Sequence, residues 1–310
     1  MKTVFKVIGI IILAFVVLTV AFLIIVSRIP AAPTNYQNTV KTGGEIESEY
    51  MKNGDFEVSV CEEPALQGFG KYITYYPTEL KTSDKKYPVI VISNGSGTPI
   101  SKYPAVQKHL ASWGFIVVGT EEESDWNGFA AEMCLRHLKR WNDNEKIGDT
   151  ESIFYQKVDL ENVGIVGHSQ GGVGVINAVT AQAHKEVYKA AVSLSPTNKE
   201  LADNLEWEYD PALINTPIML ISGAGGGDDW VVTGEQLEDI YNDIERDKIM
   251  VRRKDTAHNE VLYTANGYVN AWFMWLLQGD ENAEKAFIGS APEIISNSLY
   301  QDQRVKLNWE

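Results

Sequence analysis

From Phe56 onward, short apolar runs alternate with longer stretches whose apolar residues recur at helical spacing. Residues 56–61 and 70–75 read as leading strands. The runs 89–92, 115–118, 163–166, 190–194, 218–221 and 249–251 are apolar without alternation, as expected of strands covered on both faces. Between them, Tyr103, Val106, Leu110 and Trp113 fall three or four residues apart, as do Leu237, Ile240, Tyr241 and Ile244. Residues 171–184 are apolar nearly all round, which predicts a helix sunk in the core. Val269, Trp272, Phe273, Trp275 and Leu276 mark a final helix whose aromatic stripe reads as packing. Strands alternating with helices predict an α/β fold: a mostly parallel central sheet with helices on both faces. There is no internal repeat and no sign of a second domain, so residues 56–310 are expected to form one unit.

The first thirty residues follow another pattern. Residues 7–26 are an uncharged run of 20 residues. About 20 apolar residues span a bilayer, whereas the core of a signal peptide is roughly 7–15 long. Ala31-Ala32 would be a processing site, but it follows Arg28 and Pro30, a poor context for cleavage. Residues 1–30 are therefore read as an uncleaved signal anchor, one N-terminal transmembrane helix, with secretion after cleavage as the alternative. Lys2 and Lys6 precede the run and only Arg28 follows it closely, so the positive-inside rule puts the amino terminus in the cytoplasm and the body outside. Residues 31–55 are polar, carry Pro33 and Gly43-Gly44, and show no clear period, which reads as a tether.

Charge narrows the partners. The chain of 310 residues carries a formal −15, and beyond residue 30 it holds 24 basic against 42 acidic residues, a net −18. Such a body is a poor ligand for nucleic acid and has no charge attraction to an anionic membrane, so membrane contact is expected only through the N-terminal segment. Of the two cysteines, Cys134 lies on the apolar face of a helix and reads as core, and a disulfide to Cys61 stays open. No C-x-x-C or H-E-x-x-H spacing occurs, and no metal site is expected.

The chemistry is carried by Gly167-His168-Ser169-Gln170-Gly171, which joins the run 163–166 to the small-residue helix. This is a G-x-S-x-G elbow in its required setting, strand then turn then helix, which lifts the Ser169 hydroxyl out of the sheet. A serine hydroxyl needs a base, and the base needs an acid to orient it; in this setting the chain order is serine, acid, histidine. Of five histidines, His109 and His137 precede the serine in helical patterns, His168 is in the elbow and His184 ends the elbow helix. His258 alone comes late and in a loop, 89 residues after Ser169, and is the expected base. The acid should follow the strand 217–222, where Asp228 and Asp229 adjoin a glycine run, Gly225-Gly226-Gly227. Asp229, followed by Trp230-Val231-Val232, is the first choice and Asp228 the alternative. The glycines lack the G-K-[ST] of a phosphate loop and read as a flexible connection. Backbone N–H groups of Gln170 and of Ser96, in the loop 93–98 after the third strand, are the expected oxyanion hole. Asn94-Gly95-Ser96 also matches a glycan acceptor, in an unfavourable place. The segment 195–216 is short and acidic, which argues against a large apolar lid. Trp126 and Trp230 are either groove walls or packing.

Taken together, these residues resemble the α/β-hydrolases of the dienelactone hydrolase, chlorophyllase and polyester hydrolase (cutinase-like) group, over residues 56–289. The resemblance rests on Val-Ile-Val-Ile-Ser-Asn-Gly95, Gly-His-Ser-Gln-Gly-Gly172, Ile-Ser-Gly223 with the aspartates after it, and Ala257-His258. It implies Ser169, His258 and Asp229 or Asp228 as a triad, Ser96 and Gln170 as oxyanion donors, and no metal or organic cofactor. Polyester hydrolases usually have methionine where this chain has Gln170, often an aromatic residue at Ser96, and tryptophan within Ser195-Pro196-Thr197. The resemblance thus carries the fold and ester chemistry further than polyester degradation. The expected function is a membrane-anchored serine esterase with its catalytic body outside, acting on a small-molecule or lipid-like ester through an acyl-enzyme. A peptidase or amidase on the same triad, and a cell-surface binding protein on a hydrolase fold, are the alternatives; the sequence leaves oligomeric state open.

Overall fold

A computed structural model describes residues 15, 17–19, 29–65 and 69–308. The apolar run 7–26 lies almost wholly outside them; among the described residues no helix is long and apolar enough to cross a membrane. Among the described residues nine strands form one sheet: β1 (Val58–Pro64), β2 (Lys71–Pro77), β3 (Tyr87–Ser93), β4 (Ile116–Thr120), β5 (Val158–His168), β6 (Tyr188–Leu194), β7 (Ile218–Ala224), β8 (Lys248–Lys254) and β9 (Tyr300–Lys306). Their spatial order is β1-β2-β4-β3-β5-β6-β7-β8-β9. Pairing is parallel from β4 through β8, and antiparallel for β1 with β2, β2 with β4 and β8 with β9. The α/β expectation is what forms.

The unbroken apolar runs explain the layering. Successive side chains of a strand point to opposite faces, so Ile90 and Ile92 join one core while Val89 and Val91 join the other. Helices α2 (Pro104–Ser112) and α7 (Asn266–Gln278) cover the first face; α3 (Phe129–Asp143), α4 (Gln170–Thr180) and α5 (Gly234–Asp243) cover the second. Every residue of α4 is buried, as its all-round apolar pattern predicts. Cys134 of α3 is fully buried, Cys61 is half-buried, and neither is bonded to the other.

Residues 31–55 are not a loose tether. A single helical turn (Tyr36–Thr39) and α1 (Glu45–Met51) are packed against the body, with Ala32, Tyr36, Glu47, Tyr50 and Met51 all buried. Polar partners distant in sequence hold them. The Tyr36 hydroxyl meets His109 Nδ1 at 2.9 Å and Asn266 Nδ2, and Arg253 of β8 donates to Glu47 at 2.8 Å and to the carbonyl of Lys41. A segment whose anchors are tyrosines and one buried ion pair has no apolar period to betray it.

Candidate active site

Strand register brings four loops to one edge. Ser93 pairs with Gly167, His168 with Leu194, and Leu194 with Ile221, so the loops after β3, β5, β6 and β7 leave the sheet side by side. At the end of β5, Ser169 has φ 60° and ψ −121°, a conformation side chains rarely adopt, costing about 1–3 kcal/mol. It is held because its N–H donates to the Leu194 carbonyl (2.9 Å) while its own carbonyl accepts from Gly172 (2.8 Å). The flanking glycines are required by contact. A Cβ on Gly167 would lie 2.2 Å from the Gly171 carbonyl oxygen, and one on Gly171 2.2 Å from that of Ser93. Removing side chains there lets β3, the elbow and α4 close on one another.

His258 sits in no loop: it is the first residue of α6 (His258–Thr264), and the Ala257 N–H before it donates to Glu260. Its Nδ1 lies 2.6 Å from Asp228 Oδ1. Asp228 is fully buried, and its other oxygen accepts from the Gly223 N–H (2.5 Å) and the Ser195 hydroxyl (3.0 Å). His258 Nε2 has no partner among the described residues. Asp228, the alternative, rather than Asp229, the first choice, is the aspartate that meets His258. Gly226 and Gly227 have φ of 56° and 91° and turn the chain into a single 3-10 turn, Asp228–Trp230. Successive residues of such a turn point about 120° apart, so when the first faces the histidine the second faces outward. Asp229 is largely exposed and has no hydrogen bond to His258; its carboxylate accepts from Arg252 Nη2 at 2.6 Å.

The elbow histidine joins the two halves. His168 Nε2–H donates to the His258 carbonyl (2.8 Å), with the ring centroids 4.5 Å apart. Burial pushes His168 down to about 4, so it stays neutral beside His258. The loop after β3 crosses the elbow at Gly95, whose added Cβ would stand 3.0 Å from the His168 carbonyl oxygen and 3.9 Å from Ser169 Cβ. The backbone N–H groups of Ser96 and Gln170 have no acceptor among the described residues. Asn94 is buried and donates to the carbonyls of Thr120 and Glu122, both at 2.7 Å, which leaves no room for a glycan.

Two supporting residues carried no motif. Ser195, with φ 41°, grips Asp228 from the end of β6. Asp125 is buried beneath the loop 93–98, accepts from Ser93 Oγ (2.8 Å), Ala130 N–H (2.9 Å) and Ala131 N–H (3.2 Å), and is pushed up to about 7 by burial. Gln170 belongs to this scaffold: its Oε1 accepts from the Asp125 N–H. A polar residue at the end of a strand was the available signal for Ser195. Trp230 is exposed and Trp126 half-buried. The groove beside the elbow, about 450 Å³, runs past His168, Thr98, Tyr103 and Asn259. A larger cavity of about 670 Å³, between β1 and α3, holds none of these groups, and its His137 is paired with Glu63.

Residues 35–304 match the model of a family described as PET hydrolase-like. The chain is 25% identical over 265 residues to cutinase est1 of Thermobifida alba, covering 81% of each chain. It is 24% identical over 231 residues to bis(hydroxyethyl) terephthalate hydrolase of Streptomyces coelicolor, covering 71% of this chain and 66% of that one. Cutinase cut1 of Thermobifida fusca is 26% identical over 175 residues, about half of each chain. The chain belongs to the PET hydrolase-like family; it is an α/β-hydrolase of the cutinase-like group and a serine-type carboxylic ester hydrolase.

Proposed function

We propose that this PET hydrolase-like protein cleaves carboxylic esters with Ser169 as nucleophile, His258 as base and Asp228 as the acid that orients it. The observation that carries the assignment is the 2.6 Å contact of His258 Nδ1 with a fully buried Asp228, with the His258 carbonyl bonded to His168, the chain neighbour of Ser169 on its strained elbow. With Nδ1 held by Asp228, Nε2 is the ring atom that takes the Ser169 proton as Oγ bonds to the ester carbonyl carbon. The carbonyl oxygen becomes an anion, met by the N–H groups of Ser96 and Gln170. The tetrahedral intermediate collapses; the C–O bond breaks, and the alcohol leaves with the proton from His258. Water then gives its proton to His258 and its oxygen to the acyl carbon, and Ser169 leaves with that proton as the acid departs.

The catalytic body stands outside the cell membrane, held by residues 7–26. Support comes from the uncharged 20-residue run and from Lys2 and Lys6 ahead of it. Its substrate is a small or lipid-like ester.

The test is labelling of the full chain with a fluorescent fluorophosphonate, alongside turnover of p-nitrophenyl butyrate. Ser169→Ala is expected to lose both. Turnover that survives in Ser169→Ala would overturn the assignment. Protease added to intact cells should digest the body, and a body protected until the cells are lysed would overturn the orientation.

A further inference from the structure

We infer that the mouth of the active site stands on the bilayer that holds the anchor, and that the substrate is an uncharged acylglycerol-type ester in that same bilayer. The inference rests on the esterase and anchoring readings and adds the substrate class. Its basis is where the chain enters the body. Ile29, Pro30 and Ala31 line the same groove as His168, Thr98 and Asn259, the last next to the base His258. The entry is fixed. Ala31 N–H donates to the Lys102 carbonyl (2.8 Å), Lys102 Nζ donates to the Ile29 carbonyl (3.0 Å), and Ala32 and Tyr36 are buried just beyond.

The apolar run ends at Val26, so only Ser27 and Arg28 separate it from Ile29. Three residue steps reach at most about 10 Å fully extended. Whatever path those residues take, the groove lies within about that distance of the membrane surface once the run is embedded. A protein tethered by a long linker could turn its site to the aqueous phase; one pinned at a groove lined by His168, Thr98 and Asn259, each within two positions of Ser169, Ser96 or His258 in the chain, holds that site close to the bilayer. The same geometry closes the mouth to a bulk solid polymer, which would have to occupy the space of the bilayer.

Two surface features fit a lipid interface. Ile29 is 58% exposed at the entry, and Trp230, two residues past Asp228, is 86% exposed. An exposed indole is at home at the headgroup level. Charge selects among lipids. Glu121, Glu122 and Glu123 follow β4 beside the oxyanion loop, where the Glu123 carbonyl accepts from Gly97 N–H, and the body carries −18 overall. Lys102 is the one cation lining the groove among the described residues and its Nζ is on the Ile29 carbonyl; around it the acidic body repels anionic headgroups, whereas a neutral acylglycerol is not repelled.

The experiment uses the full chain in phosphatidylcholine vesicles containing dioleoylglycerol, with p-nitrophenyl butyrate as the soluble ester. The parent should float with the vesicles and cleave both. Four EAAAK repeats inserted between Arg28 and Ile29 raise the body by up to about 30 Å. That chain should lose at least about tenfold on dioleoylglycerol while p-nitrophenyl butyrate turnover stays within about twofold, because a held-off site cannot engage the bilayer. Equal dioleoylglycerol turnover with and without the spacer overturns the inference. So does a parent that cleaves only the soluble ester. Loss of both substrates by a folded parent overturns the esterase reading itself, and failure to float overturns the anchoring. If the spacer chain loses both activities, position decides. A fluorophore on Ser101→Cys, near the mouth, should be quenched by nitroxide headgroup lipid, and one on Asp84→Cys, at the far end of the sheet, should not, with the labelled parent as blank. Equal quenching at the two sites would overturn the proposal.

Discussion

At the scale of single residues, the two aspartates differ in what they face. Asp228 Oδ1 fixes the His258 ring, and its other oxygen is held by Gly223 and Ser195. Asp228→Asn keeps the shape but presents an amide to Nδ1, which favours the wrong tautomer; a loss of about 10⁴ in kcat is expected. Asp229→Asn loses only an exposed pairing with Arg252, worth about 0–1 kcal/mol, and its kcat should stay within about threefold. Steady-state kinetics on p-nitrophenyl butyrate decides, and the reverse pattern would move the acid role to Asp229. Sequence order was enough to point to Ser169 and His258, because each is singled out by a motif or by elimination. It could not separate Asp228 from Asp229, because the choice depends on positive φ at Gly226 and Gly227. Two glycines leave that path open in sequence.

At the scale of elements, legibility followed apolar continuity. The parallel strands are covered on both faces and therefore read as unbroken runs, and α4 reads as apolar all round. β9 alternates buried or half-buried with exposed positions at an edge, and α1 buries a glutamate, so neither has such a run. The partner of Glu47 is Arg253, 206 residues away, with Tyr300 Oη 2.8 Å from the same carboxylate oxygen. Glu47→Ala leaves the Arg253 charge buried without its carboxylate and should cost about 3–5 kcal/mol in urea unfolding. A change below about 1 kcal/mol would show that α1 adds nothing to the fold. Within α4, Gly174 faces the loop that carries Asp125, and an added Cβ would stand 1.9 Å from the Asp125 carbonyl oxygen. Gly174→Ala must push α4 off that loop. Stability should fall by about 1–3 kcal/mol, and ester turnover should fall with it because Gln170 and Asp125 move together.

At the scale of the whole molecule, burial of titratable groups sets how stability follows pH. His109, hydrogen-bonded to Tyr36, and His168 are both held down to about 4, chiefly by burial. An unfolded histidine takes its proton near 6.5. Between about 4 and 6.5 the unfolded chain therefore binds two more protons than the folded one at these sites, and their contribution to stability grows as pH rises. Asp125 works in the opposite sense. Burial raises it to about 7 against about 3.9 unfolded, so across about 4 to 7 the folded chain holds the extra proton and stability falls as pH rises. Two histidines against one carboxylate leave a net gain near one proton, about 1.4 kcal/mol per pH unit from pH 4.5 to 6, from these three groups. Asp125→Asn removes the opposing group, so its stability should climb more steeply than the parent's by about the same amount per unit. His109→Gln should flatten the climb by as much. Urea midpoints of the three proteins at pH 4.5, 5.25 and 6 provide the slopes, and parallel lines would mean that these buried groups do not govern the acid limb.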